Sequence, residues 1–297
     1  MLNKNPIILN CFSRGGSNIL WNILLSHPAV CSPIEETLQI FRLDARAPRR
    51  AGLQAAWLTR QRVFFDQWNL RERAPISPHA QAFIDETLFH WKLKTLTDEE
   101  MRYKSGDALY TRPEVEHARL ALKNNNGLLF LDERFHEMYP DATFFALVRD
   151  PLPLYESHKR HKTPVSRSPE AFAAFYETIA CRMLADAKRS PAHHLLRFED
   201  LLRAPAESIR KVYALAGLDA SLTPQVRFKA KPHMQADGSH ATRFTEGLHY
   251  WFSYEDLPKL FEPEVNQYQV SKLAPGELEQ LRAFTGGTRA LLGYASP

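Results

Sequence analysis

The sequence predicts a three-layer α/β fold, a central parallel sheet covered by helices on both faces. Two short, nearly uninterrupted apolar runs carry this reading, Ile7–Phe12 and Thr143–Val148. Strands without polar alternation are buried on both sides, as they are when helices cover a sheet. Helix-period segments follow such runs, giving strand, turn and helix in repeating order. At 297 residues the chain suits one domain built on one sheet, and residues 1–297 are expected to form it.

The elements follow in order. Ile7–Phe12 ends at Ser13-Arg14-Gly15-Gly16-Ser17, a glycine turn that halts the strand. From Asn18 to Ser26, Ile19, Leu20, Ile23 and Leu24 recur at helical spacing, and His27-Pro28 ends the helix. Leu120–Lys123 predicts a strand and Asn124–Asn126 a loop; Leu128, Leu131, Phe135 and Met138 mark a helix face stopped near Pro140. Thr143–Val148 is the clearest strand, β-branched and aromatic up to Arg149. His194–Phe198 predicts another strand, and Pro205 starts a helix that Gly217 stops. Residues 42–115 show little strand signal and predict a mostly helical insertion over the sheet. Ala220–Phe252, rich in Pro, Gly, His and basic residues, predicts a long ordered loop.

Composition excludes several classes. Hydrophobic residues at 44% and charged residues at 24% are ordinary globular values. A net charge of +4 suits an anionic ligand but falls short of a nucleic-acid surface, which needs clustered Lys and Arg. Cys11, Cys31 and Cys181 are far apart and form no CxxC pair, which argues against a disulfide framework or a cysteine zinc site and for a reducing, cytoplasmic compartment. No signal-type N-terminus and no apolar stretch of membrane-spanning length is present. His90, His136, His158 and His161 show no ligand spacing with acidic partners, so no metal is implied.

Two segments carry chemistry. In Ser13-Arg14-Gly15-Gly16-Ser17-Asn18 the glycines let the backbone approach a ligand, and Arg14 adds a planar donor fork suited to phosphate or sulfate. The ATP/GTP pattern GxxxxGK[ST] is absent, and the same spacing also suits a tight turn without a ligand. Arg149 closes an apolar strand, so its cation emerges at the carboxyl edge of the sheet, where open α/β folds bind ligands. Ser157 lies on the helix begun by Pro151 or Pro153, near enough to share an anion with Arg149. A structural pairing of Arg149 with Asp150 is the competing reading; adjacent side chains on an extended strand point apart.

Ser13–Leu20, with Leu24-Leu25-Ser26-His27-Pro28 and Glu35-Glu36-Thr37, resembles the sulfotransferase family that uses 3′-phosphoadenosine 5′-phosphosulfate (PAPS) and releases PAP. The family's loop reads P-[RK]-S-G-T-[TS]-x-L, and the Glu-Glu-Thr tripeptide is similar to its tyrosylprotein branch. Val148-Arg149-Asp150-Pro151 with Ser157 is similar to the V-R-[DN]-P…S element that binds the 3′-phosphate. Leu122-Lys123, Arg197-Phe198-Glu199-Asp200-Leu201 and Leu292-Gly293-Tyr294 match further landmarks in order. The resemblance spans residues 7–41 and 116–294 and is of bacterial type. It departs at Ser13, Gly15, Ser17 and Asn18 in the loop, and at Phe198, where the family commonly has Tyr.

The resemblance implies a P-loop-like sheet and sulfuryl transfer from PAPS to a hydroxyl, or an amine, by in-line displacement. Arg14, Gly15, Gly16, Ser17, Asn18, Arg149 and Ser157 would hold the nucleotide. Arg14 would also sit on the leaving oxygen, and Glu36 would act as base, with Glu35 as its alternate. Gly238–Arg243 resembles a G-N-x-x-R segment that closes over the nucleotide, which makes Arg243 a third phosphate contact. Lys123 either contacts the nucleotide or snorkels at a strand end, and His27 reads as a helix-end residue. An ATP-dependent small-molecule kinase and a non-catalytic nucleotide-binding module remain as alternatives. The expected acceptor is a small molecule, lipid or glycan precursor. The arginine-rich stretch Arg42–Arg73 is either a solvated face or a surface for an acidic acceptor.

Overall fold

A computed structural model describes residues 2, 5–37, 78–126, 129, 132–230, 233, 234, 240, 241, 245, 247–261 and 264–294. The chain begins with β1 (Ile7–Cys11), α1 (Ser17–Ser26) and the short β2 (Val30–Cys31). Next come α2 (Pro78–Leu93), α3 (Arg112–His117), β3 (Arg119–Asn125), α4 (Asp132–Met138) and β4 (Thr143–Val148). After these come α5 (Pro151–Arg160), α6 (Pro169–Arg189), β5 (His193–Arg197), α7 (Phe198–Arg203) and α8 (Pro205–Leu215). The last elements are β6 (Gln225–Lys229), β7 (His249–Ser253), α9 (Val265–Val270) and α10 (Pro275–Leu291).

The sheet runs β2-β3-β1-β4-β5, and every pairing is parallel. β1 is central because every one of its residues is buried. The chain leaves β1 for one edge, returns as β3, then crosses to β4 on the other side. Strand order therefore reverses at β1, and its carboxyl end opens onto the crevice where such sheets bind ligands. Alternation sorts the layers. Ile7, Leu9 and Cys11 pack with Leu20, Leu24 and Tyr213 on the face covered by α1 and α8. Ile8 packs with Leu88 and Phe135 on the opposite face, where Ala146 and Val148 meet Tyr176 and Leu281 of α6 and α10.

Two expectations change. Ala220–Phe252 is not one long loop: β6 and β7 pair antiparallel, Val226 opposite Phe252 and Phe228 opposite Tyr250. Val226, Phe228 and Phe252 join the α1 core, an alternation obscured in the sequence by basic neighbours. The predicted Asn124–Asn126 loop starts later, because β3 runs through Asn125 and Asn124 Nδ2 donates to Asn10 Oδ1 at 3.2 Å. In the described part of the insertion, α2 and α3 flank a two-stranded ribbon of Tyr103–Lys104 and Ala108–Leu109. Residues 42–77, and Leu128 and Leu131, lie outside the described residues.

Gly16, which precedes α1, has φ 86°, and an added Cβ would overlap the Phe198 ring. Gly217, after α8, also has positive φ (65°) but open space around it. Gly217→Ala should therefore cost only the left-handed backbone term of about 1–2 kcal/mol. Gly16→Ala should add overpacking of about 1–3 kcal/mol. Urea unfolding of the two variants measures the difference, and equal losses would remove the role assigned to Phe198.

Candidate functional site

Three things converge at the carboxyl end of β1. The first is the turn itself. Arg14 takes φ 66°, and Gly15 N–H donates to Phe12 O at 3.0 Å, which folds the chain back before α1. Asn126 from the end of β3 accepts the Ser13 N–H at 2.9 Å. No side chain caps α1 and no acidic residue occupies its first turn. Its N-terminal N–H groups and the positive end of its dipole are therefore not met by a side chain of the helix itself.

The second is Arg149, which leaves β4 with only 5% exposure. Its Nη1 donates to the Arg14 carbonyl at 3.0 Å. Nε and Nη2 donate to Asn266 Oδ1 at 3.2 and 2.6 Å, and Nη2 also reaches Gln269 Oε1. The guanidinium lies 4.6 Å over the Phe198 ring. Among the described residues no carboxylate forms an ion pair with it, and burial pulls its pKa down to about 10. Asp150 turns elsewhere: it caps α5 through Leu152 N–H at 2.9 Å and pairs with Arg289 at 3.1 Å. Ser157, buried on α5, accepts from His161 Nδ1 through its carbonyl at 2.8 Å.

The third is an ion pair on the other side of the turn. Lys123, 5% exposed, stands 3.1 Å from Glu36 Oε1 and donates to Asn18 Oδ1 at 3.0 Å. Lys123 therefore does not snorkel; it points to the first turn of α1 and is 5.7 Å from the Trp21 ring. Glu36 belongs to this cluster, whereas Glu35 is exposed. Arg243 lies outside the described residues. His27 closes α1, its Nε2 bonded to Asp219 O at 3.0 Å.

Sequence reasoning missed the imidazoles behind the turn. His158 Nε2 meets the Ser13 carbonyl at 2.9 Å. A carbonyl only accepts, so Nε2 carries the proton and Nδ1 accepts from Thr163 Oγ1 at 2.8 Å. His161 Nε2 lies 2.7 Å from Arg14 Nη2; arginine only donates, so this nitrogen bears the lone pair. Asn266 and Gln269 were also missed, since nothing near β4 in sequence points to α9. Glu199, part of a noted landmark, is architectural: it accepts from Asp150 N–H at 3.0 Å, Asn266 Nδ2 at 2.8 Å and Tyr294 OH at 3.0 Å.

A sulfotransferase family model matches residues 6–222. The chain is similar in structure to a sulfotransferase domain of the olefin synthase from Synechococcus PCC 7002. That likeness has a TM-score of 0.53 at 19% identity, over 100% of this chain and 98% of the other. A sulfotransferase domain from the curacin biosynthetic pathway aligns with a TM-score of 0.51 at 15% identity, over 100% of both chains. At these identities the structural likeness shows the fold. No curated protein matches the chain.

Burial pulls the His158 pKa down to about 4, below the unfolded value of about 6.5. The unfolded chain thus binds the extra proton first, and stability falls as pH drops from about 6.5 to 4. His158→Gln should flatten that fall by about 2–3 kcal/mol, read from urea unfolding at pH 7 and pH 4.5. An unchanged slope would show that His158 is not held neutral in the folded protein.

Proposed function

We propose that this chain, which belongs to the sulfotransferase family, moves a sulfuryl group from PAPS to a hydroxyl of a small-molecule, lipid or glycan acceptor. One observation carries the reading: the buried cation Arg149 bonds to the carbonyl of Arg14, so two anion-ready elements share one crevice. PAPS has two anionic ends to match them. The uncapped first turn of α1, with Arg14, Gly15, Gly16, Ser17 and Asn18, suits the 5′-phosphosulfate. Arg149 and Ser157 suit the 3′-phosphate, each charge-assisted contact contributing about 1.5–3 kcal/mol.

The reaction is an in-line displacement. The acceptor oxygen bonds to sulfur while the bond from sulfur to the 5′-phosphate oxygen breaks, its electron pair staying on the phosphate of PAP. Positioning and charge stabilisation do most of this work, as in phosphoryl transfer. Arg14 and the α1 amides stabilise the charge gathering on the leaving oxygen. Glu36 takes the acceptor proton. Its ion pair with Lys123 and the bond from Lys123 to Asn18 hold the carboxylate beside the same helix turn.

Calorimetry with PAP tests the donor half: binding at micromolar affinity or tighter is expected, falling at least about tenfold in Arg149→Ala and Ser157→Ala. Equal affinity for ATP would favour a kinase and overturn the reading. Glu36→Gln tests the transfer half. It should keep PAP binding and lose about 10²–10⁴-fold in turnover of labelled PAPS; unchanged turnover would move the base elsewhere.

A further inference from the structure

Between the sheet and helices α4 and α6 lies a polar cluster that sulfuryl transfer does not use. Asp132 opens α4, Asp186 lies on α6, and His193 opens β5; they are 1%, 4% and 8% exposed. One ligand atom from each lies within 4.8 Å of the other two. No spacing in the sequence announces this set, because it comes from three separated segments.

Two features point to a ligand. His193 Nε2 is 3.6 Å from Asp132 Oδ2, beyond the N–H···O range of about 2.7–3.2 Å. It is close to the roughly 3.3 Å that separates two ligands bound at about 2.0–2.1 Å to one tetrahedral ion. In addition, neither ring nitrogen of His193 has a partner within hydrogen-bond distance among the described residues, its contact with Asp132 being an ion-pair approach only, and Asp132 Oδ1 has no hydrogen bond either. A buried polar group left without a partner bears its desolvation cost uncompensated. The His193 ring does not search for partners, since it stacks on Phe144 at 4.2 Å and 6°.

The neighbours arrange the carboxylates as outer-sphere groups do around metals. Asn10 Nδ2 donates to Asp132 Oδ2. Arg182 Nε and Arg189 Nη2 donate to Asp186 at 2.6 and 3.0 Å. Glu133 draws on both arginines, at 2.9 and 3.6 Å.

We propose that Asp132, Asp186 and His193 hold a buried divalent cation of the zinc class, which ties α4, α6 and β5 together beneath β1. An imidazole with two carboxylates in a buried site suits zinc better than magnesium, which keeps oxygen ligands and waters. The ion is structural and lies apart from the sulfuryl-transfer residues.

The test uses the full chain, incubated with Zn2+, desalted into metal-free buffer and analysed by plasma mass spectrometry. About one zinc per chain is expected, with a lower Tm after a strong chelator and recovery on adding Zn2+. Cobalt in place of zinc should give the visible absorption of a four-coordinate site. His193→Ala should lose the metal; if that variant fails to fold, the wild-type stoichiometry still decides. Less than about a tenth of an equivalent, with Tm indifferent to chelator and Zn2+, overturns the proposal and leaves His193 and Asp132 as a buried pair. Retention of Mg2+ but not Zn2+ overturns it as well.

Discussion

The site hangs on the hydrogen bond from Arg149 to the carbonyl of Arg14. It joins the end of β4 to the turn after β1, two neighbouring strands whose loops would otherwise be placed independently. The guanidinium is almost fully buried and, among the described residues, hydrogen-bonds only to neutral acceptors, which is costly for a cation unless its donors are used. Asn266 and Gln269 from α9 engage Nε and Nη2, and among the described residues one Nη1 N–H stays open to a ligand. Tyr176 holds the Arg149 carbonyl at 3.0 Å. Glu199 in turn fixes Asn266, the Asp150 amide and Tyr294. The crevice is therefore preset by a frame reaching from β1 to the end of α10.

That frame explains which sequence landmarks matter for what. Arg197 donates to the Gly293 carbonyl at 2.9 Å, and Glu199 meets Tyr294, so the Arg-Phe-Glu-Asp-Leu and Leu-Gly-Tyr segments brace one another. Phe198, where the family commonly has tyrosine, keeps its ring function: it supports Gly16 from one side and carries Arg149 on its face.

The fold was legible wherever local pattern and tertiary need coincided. Phe144–Val148 is apolar throughout because β4 is covered on both faces, and the glycine turn announces itself because only a backbone without a side chain fits over Phe198. The positions of Arg14 and Arg149 were legible for the same reason, each standing where a strand ends. What stayed hidden depends on distant segments. Asn266 and Gln269 become partners of Arg149 only once α9 packs against α5. Lys123 looked like a strand-end residue until Glu36 and Asn18 were seen beside it. The β6–β7 ribbon was masked because its apolar alternation is interleaved with Arg227, Lys229 and His249.

The contact between Gly16 and Phe198 also reaches beyond this one molecule. The two positions belong to opposite halves of the chain, yet sterically they act as a single unit. A larger residue at the first becomes tolerable only when the second shrinks, and shrinking the second removes the surface on which Arg149 rests. Neither position can drift alone, and drifting together sacrifices the cation's support. The pair should therefore behave as an epistatic lock, in which the viable path between sequences keeps glycine and an aromatic ring in step.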